Sequence, residues 1–142
     1  MFPRKKKIFK RNDIIVGMSK HPTNNTTPPF FLPVVRKLKD VYIAWFGYYK
    51  HIPKIHRYTL GQKVDQYLCD SIEYAITASF LKPDEKVSYV RAALRKVDTV
   101  KVLLLVMWEI KSLDTKKYIH LSKQIDEIGK MLQGWYGSVS KK

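Results

Sequence analysis

The chain has 142 residues, 45% of them hydrophobic, which is the length of one domain with enough apolar side chains for a core. It carries 27 Lys and Arg against 12 Asp and Glu, a formal net charge of +15, and its only cysteine is Cys69. These values exclude an intrachain disulfide and a four-cysteine zinc site, favour a reducing compartment, and imply an anionic partner, either nucleic acid or a membrane surface. The longest apolar run near the N-terminus, Ile14–Val16, is far short of the roughly 7–15 residues of a signal-peptide core, so a cytoplasmic protein is expected. The basic surplus is not confined to one end. Residues 1–31 hold seven basic residues and one acid, and the rest holds 20 and 11.

In chain order, Arg4, Lys5, Lys6, Lys7, Lys10 and Arg11 form a charge block, and an aperiodic stretch from His21 to Pro29 follows. Residues 1–31 therefore read as a disordered basic tail. An arm that docks on phosphates and a translation start at Met18 are the alternatives. The folded domain is expected over residues 32–137, with 138–142 a frayed basic end.

Helix one is expected from Leu32-Pro33, since proline suits the first helical position. Val34, Leu38, Val41, Tyr42, Trp45 and Tyr49 form its apolar face, and Pro53 stops it near His51. Helix two is expected to start at Thr59 as cap, with Gln62 completing a capping box. Its face runs through Leu60, Val64, Tyr67, Leu68, Ser71, Ile72, Ala75, Ile76 and Ser79. Gly61 in its first turn costs about 1 kcal/mol against alanine, which close approach of another backbone would explain.

Helix three should run from Pro83 to Ser112, opened by Pro83-Asp84-Glu85. Val87, Val90, Leu94, Val97, Leu104 and Trp108 make one stripe, while every residue from 102 to 108 is apolar. That run is too short for a bilayer, which needs about 20 apolar residues. It must be covered on more than one face, and Val102, Leu103, Leu105, Val106 and Met107 are the candidates for a contact with another subunit. Lys101 falls on the stripe itself. It reads as a structural ion pair with Asp65, Asp70 or Glu73 of helix two, or as lining a wet channel between subunits. Helix four starts at Asp114 or Thr115. Tyr118, Leu121, Ile125, Ile128, Leu132 and Trp135 form an unbroken bundle seam, and Gly134 or Gly137 ends it. Together these elements predict an all-α, antiparallel up-down-up-down four-helix bundle.

Lys116, Lys123 and Lys130 recur every seven residues on the side of helix four opposite its seam. Arg91 and Arg95 form a pair one turn apart on helix three, and Lys54 and Arg57 stand in the first connection. This pattern suits sequence-independent binding to the phosphates of RNA or DNA. Asp126 and Glu127 read as solvated partners for Lys123 and Lys130. Tyr42, Trp45, Tyr67, Trp108, Tyr118 and Trp135 sit at core spacings, whereas Tyr48, Tyr58, Tyr74, Tyr89 and Tyr136 lie off the main stripes. The four histidines show no metal-ligand spacing, and there is no phosphate loop or nucleophile motif. No enzyme activity, metal or cofactor is expected. Two rivals are an interaction protein for an acidic partner and a nuclease with converging acids.

His56-Arg57-Tyr58-Thr59-Leu60-Gly61-Gln62, Val90-Arg91-Ala92-Ala93-Leu94 and the segment from Gln124 to Trp135 resemble the Avd-type four-helix-bundle proteins, the accessory variability determinants of diversity-generating retroelements. The resemblance covers about Leu32 to Tyr136. It implies a basic, barrel-shaped homopentamer without catalytic activity. It also implies association with a reverse transcriptase and sequence-independent nucleic-acid binding, during mutagenic copying of template RNA into cDNA. The helix-three arginine of the family falls on Arg91. A related branch, the bundle proteins of ribosomal-RNA intervening sequences, implies instead a general RNA-binding or scaffold role without that polymerase.

Overall fold

The computed structural model describes residues 32–141. Four long helices follow in order: α1 (Pro33–Tyr49), α2 (Gln62–Ser79), α3 (Pro83–Glu109) and α4 (Thr115–Ser140), with no strand among the described residues. α1 packs on α2 and α4, α2 on α3, and α3 on α4. The helices thus form a ring in chain order, and short connections make each neighbour antiparallel, the expected four-helix bundle. The core is wholly apolar apart from Ser71 and Ser112, with Trp45, Leu38, Leu68, Ile125, Ile128 and Leu132 among its fully buried side chains.

α1 begins as expected, with Leu32 in extended conformation and Pro33 at the first helical position. It buries Val34, Val35, Leu38, Val41 and Trp45. The entry to α2 differs from the capping-box expectation. Pro53 is extended and the chain is already helical from Lys54, through one α turn (Lys54–His56) and a π-helical turn (Arg57–Gly61) that runs into α2. Thr59 therefore sits inside the helical run. Its hydroxyl donates back to the Ile55 and His56 carbonyls at 3.4 and 3.3 Å instead of capping. Gly61 is buried, and its tightest neighbour is a side chain, with the backbone carbonyl of His56 next at 3.4 Å from where a Cβ would sit. A Cβ there would lie 3.2 Å from Cε1 of the Tyr49 ring.

The seam of α3 is Val90, Ala93, Val97, Val100, Leu104 and Met107, rotated from the expected stripe. Val87 and Leu94 are only half-buried, and Trp108 is exposed. Lys101 follows Val100 and so points about 100° away from it around the helix. It is a surface residue, not a core one. α3 ends three residues earlier than expected. Lys111 adopts φ 66°, its N–H donates to the Trp108 carbonyl at 3.0 Å, and the Ser112 N–H donates to Met107 at 2.8 Å. This is a Schellman stop with lysine where glycine is usual.

α4 starts as expected, the Asp114 carboxylate accepting from the Lys117 N–H at 2.9 Å. Neither Gly134 nor Gly137 ends it. Neither has positive φ, and the helix continues to Ser140 because Val139 extends the seam and is buried. The expected fraying from residue 138 is corrected accordingly. The basic tail of residues 1–31 lies outside the described residues.

Candidate nucleic-acid interface

Lys116, Lys123 and Lys130 are all exposed on the outer side of α4, opposite Leu121, Ile125, Ile128 and Leu132. None forms an ion pair with another described residue, because the acids of α4 are engaged elsewhere. Asp126 meets Lys101 of α3 at 2.8 Å and Glu127 meets Lys37 of α1 at 3.1 Å. This corrects the expectation that the two acids would serve Lys123 and Lys130. Asp114 caps the helix and lies 3.7 Å from the Lys117 ammonium. Elsewhere, Asp70 is held by Lys96 at 3.5 Å, and Asp65 accepts from the Tyr42 hydroxyl at 2.8 Å and the Trp45 indole N–H at 3.2 Å. Such exposed pairs contribute at most about 1 kcal/mol to stability. Their larger effect is on charge layout: Asp70, Asp126 and Glu127 pair across helix–helix borders, and Lys116, Lys123 and Lys130 are left without an ion-pair partner among the described residues.

Arg91 and Arg95 are exposed on α3 and make no ion pair with a described residue. A groove of about 380 Å³ between α3 and α4, lined by Leu94, Asp98, Lys101, Asp126, Lys130 and Gln133, borders the lysine stripe at Lys130. The arginines and the stripe are thus on adjacent helices, not on one flat face.

Lys54 is exposed, but Arg57 is engaged within the fold. Its Nε and Nη2 donate to the Ile52 carbonyl at 3.2 and 3.0 Å, and Nη2 donates to Lys50 at 3.0 Å. It closes the end of α1 while staying half-exposed, so most of its donors are already engaged within the fold. A cavity of about 200 Å³ lined by Tyr48, His51, Lys111, Asp114 and Lys117 joins the first connection to the α3–α4 turn. Lys54 and Lys116 therefore share one end of the bundle. There the Tyr48 hydroxyl lies 2.7 Å from Nδ1 of His120.

The aromatic residues divide differently from the core-spacing reading. Trp45 is fully buried, but Trp108 is 37% exposed, stacks on Tyr118 at 5.2 Å between centroids, and donates to Thr115 Oγ1 at 3.0 Å. Desolvation, followed by the hydrogen bond to Asp65, pushes the Tyr42 hydroxyl well above the ordinary tyrosine range. Partial desolvation, reinforced by Asp65, likewise raises the Cys69 thiol, opposite to what an activated nucleophile needs. Among the described residues no three His, Cys, Asp or Glu side chains are grouped to hold a metal, and no helix is long and apolar enough to cross a membrane.

Of the candidate subunit contacts, Val102, Leu105 and Val106 are exposed, Leu103 is half-buried against the core, and Met107 is fully buried within its own bundle. Met107 therefore leaves that set, because the α3 seam turns it inward. Ile110 joins the exposed group, and Ile43 and Phe46 form a second exposed apolar pair on α1.

No curated protein matches the chain, and neither does any solved structure. The sequence model of the bAvd-like family matches residues 32–139, all but the last residue of the four-helix bundle. The chain belongs to the bAvd-like family.

Proposed function

We propose that this protein is a non-catalytic accessory factor of a diversity-generating retroelement. In this reading it holds nucleic acid on a basic surface and associates with the reverse transcriptase while template RNA is copied into mutated cDNA. Family membership supports the accessory role. The observation that carries the binding reading is the stripe Lys116, Lys123 and Lys130, exposed along α4 while the acids of that helix pair with Lys101, Lys37 and Lys117. Uncompensated cations in a row attract a phosphate backbone without reading its sequence, through release of condensed counterions. Arg91, Arg95 and Lys54 extend the same field to α3 and to the connection end.

Self-association belongs to the same reading. Val102, Leu105 and Val106 leave an apolar strip on α3 that the lone chain does not cover, and a homopentamer is the assembly the family resemblance implies. Filter binding of the full chain to an unstructured RNA, over a range of salt, tests the central claim. Affinity should fall linearly on a log–log plot as salt rises. No retention even in dilute buffer would refute it. Light scattering reads the assembly, and co-purification with a retroelement reverse transcriptase reads the partnership.

A further inference from the structure

Against the π-helical turn lies another cleft, of about 600 Å³, lined chiefly by Tyr58, Leu60, Gln62, Lys63, Gln66 and Tyr67. No carboxylate lines it among the described residues. Tyr58 is 59% exposed and packs on no other ring among the described residues. Tyr67, also in the lining, has the ammonium of Lys63 at 5.8 Å from its ring centre and, from outside the lining, that of Lys96 at 4.1 Å. Gln66 donates through Nε2 to Asp70 at 2.8 Å, which leaves its amide oxygen for another partner.

The cleft is held in place, not left loose. The five residues Arg57–Gly61 wind as a π turn, a widened turn that is rare and concentrates at functional sites. Arg57 ties this turn to the carbonyls of Lys50 and Ile52. The Tyr49 hydroxyl donates to the Arg57 carbonyl at 3.2 Å, and the Tyr49 ring closes over Gly61. Tyr58 is thus an exposed aromatic ring on a pinned backbone. A flat ring, two amides and an ammonium line the cleft, and the nearby Asp70 carboxylate is taken up by Gln66 and Lys96; this set matches a nucleobase and its phosphate.

We propose that this cleft takes an unpaired nucleotide of single-stranded RNA or DNA. The base stacks on Tyr58, its edge meets the amides of Gln62 and Gln66, and Lys63 meets the phosphate. The proposal rests on the nucleic-acid reading above and adds a preference for unpaired strands, whose bases are free to leave a stack. Fluorescence anisotropy on the full chain, with end-labelled oligo-dT and a duplex of equal length, tests it. Tyr58→Ala should lower oligo-dT affinity about tenfold and leave duplex affinity within about twofold, whereas Tyr58→Phe, which keeps the ring, should behave as wild type. Lys63→Ala should reduce the salt slope on oligo-dT by about 0.7. Unchanged oligo-dT affinity in Tyr58→Ala, or an equal loss on both ligands, overturns the cleft and leaves the basic-surface reading standing. A changed subunit number in Tyr58→Ala would make the cleft a subunit contact and also overturns it. Failure of the wild-type protein to bind either ligand in dilute buffer overturns both readings.

Discussion

Lys101 of α3 reaches Asp126 of α4 at 2.8 Å, and both side chains are about half exposed (56% and 46%). The hydrogen bond and charge of Asp126 raise the Lys101 pKa above the ordinary lysine range. A raised pKa means that the pair's contribution is complete at neutral pH and is lost only as pH climbs through the strongly alkaline range. At working pH Asp126 therefore masks one cation beside Lys130, across the groove between the two helices.

Removing that mask should strengthen binding. Asp126→Asn is expected to raise RNA affinity several-fold at low salt and to steepen the log–log salt slope by about 0.7–0.9. Filter binding at four or five salt concentrations gives both quantities. A lower affinity would mean that Lys101 and the groove it lines do not meet phosphate.

Reversing Lys116, Lys123 and Lys130 to Glu should flatten the salt slope by at least about 2 units and abolish retention near physiological salt. All three side chains are exposed and face away from the seam. The circular-dichroism signal at 222 nm and the urea midpoint should then stay close to wild type, within the roughly 0.5 kcal/mol typical of a surface change at each site.

Arg57 and Lys54 are neighbours in sequence with opposite expected phenotypes. Arg57→Ala removes three donor contacts to backbone carbonyls, and should cost roughly 1.5–3 kcal/mol in urea unfolding. Lys54 is exposed and makes no such bond, so Lys54→Ala should leave stability unchanged and weaken RNA binding modestly. Equal stability of the two variants would show that the clasp on α1 is not formed in solution.

Lys111 occupies the left-handed region at φ 66°, where a Cβ is penalised and glycine is not. Lys111→Gly should therefore stabilise the fold by about 0.5–1 kcal/mol, read as a shift in the urea midpoint. Destabilisation would indicate that the α3 stop is held by something other than backbone geometry.

The elements that the sequence makes plain are those whose apolar residues are flanked by polar ones. α4 alternates Leu121, Ile125, Ile128 and Leu132 with lysines and acids, and its phase and its Asp114 cap follow directly. α3 lacks that flank. With every residue from 102 to 108 apolar, a stripe through Trp108 and one through Met107 look alike, and only packing against α2 and α4 selects Met107. Thr59 misleads for a related reason. It carries the side chain of a cap, but Pro53 starts the helical run a turn and a half earlier. The basic candidates are legible as types, whereas their availability is not. Arg57 reads the same as Lys54 in the chain and is distinguished only by the carbonyls of Lys50 and Ile52 in front of it.

Among the described residues no charged side chain is buried in the core, and the ion pairs are all at least partly in contact with solvent. Concentrated electrolyte screens such surface attractions and leaves apolar packing untouched or slightly strengthened. A wash in molar sodium chloride during purification should therefore strip away host polyanions carried along from the lysate while the four helices stay assembled.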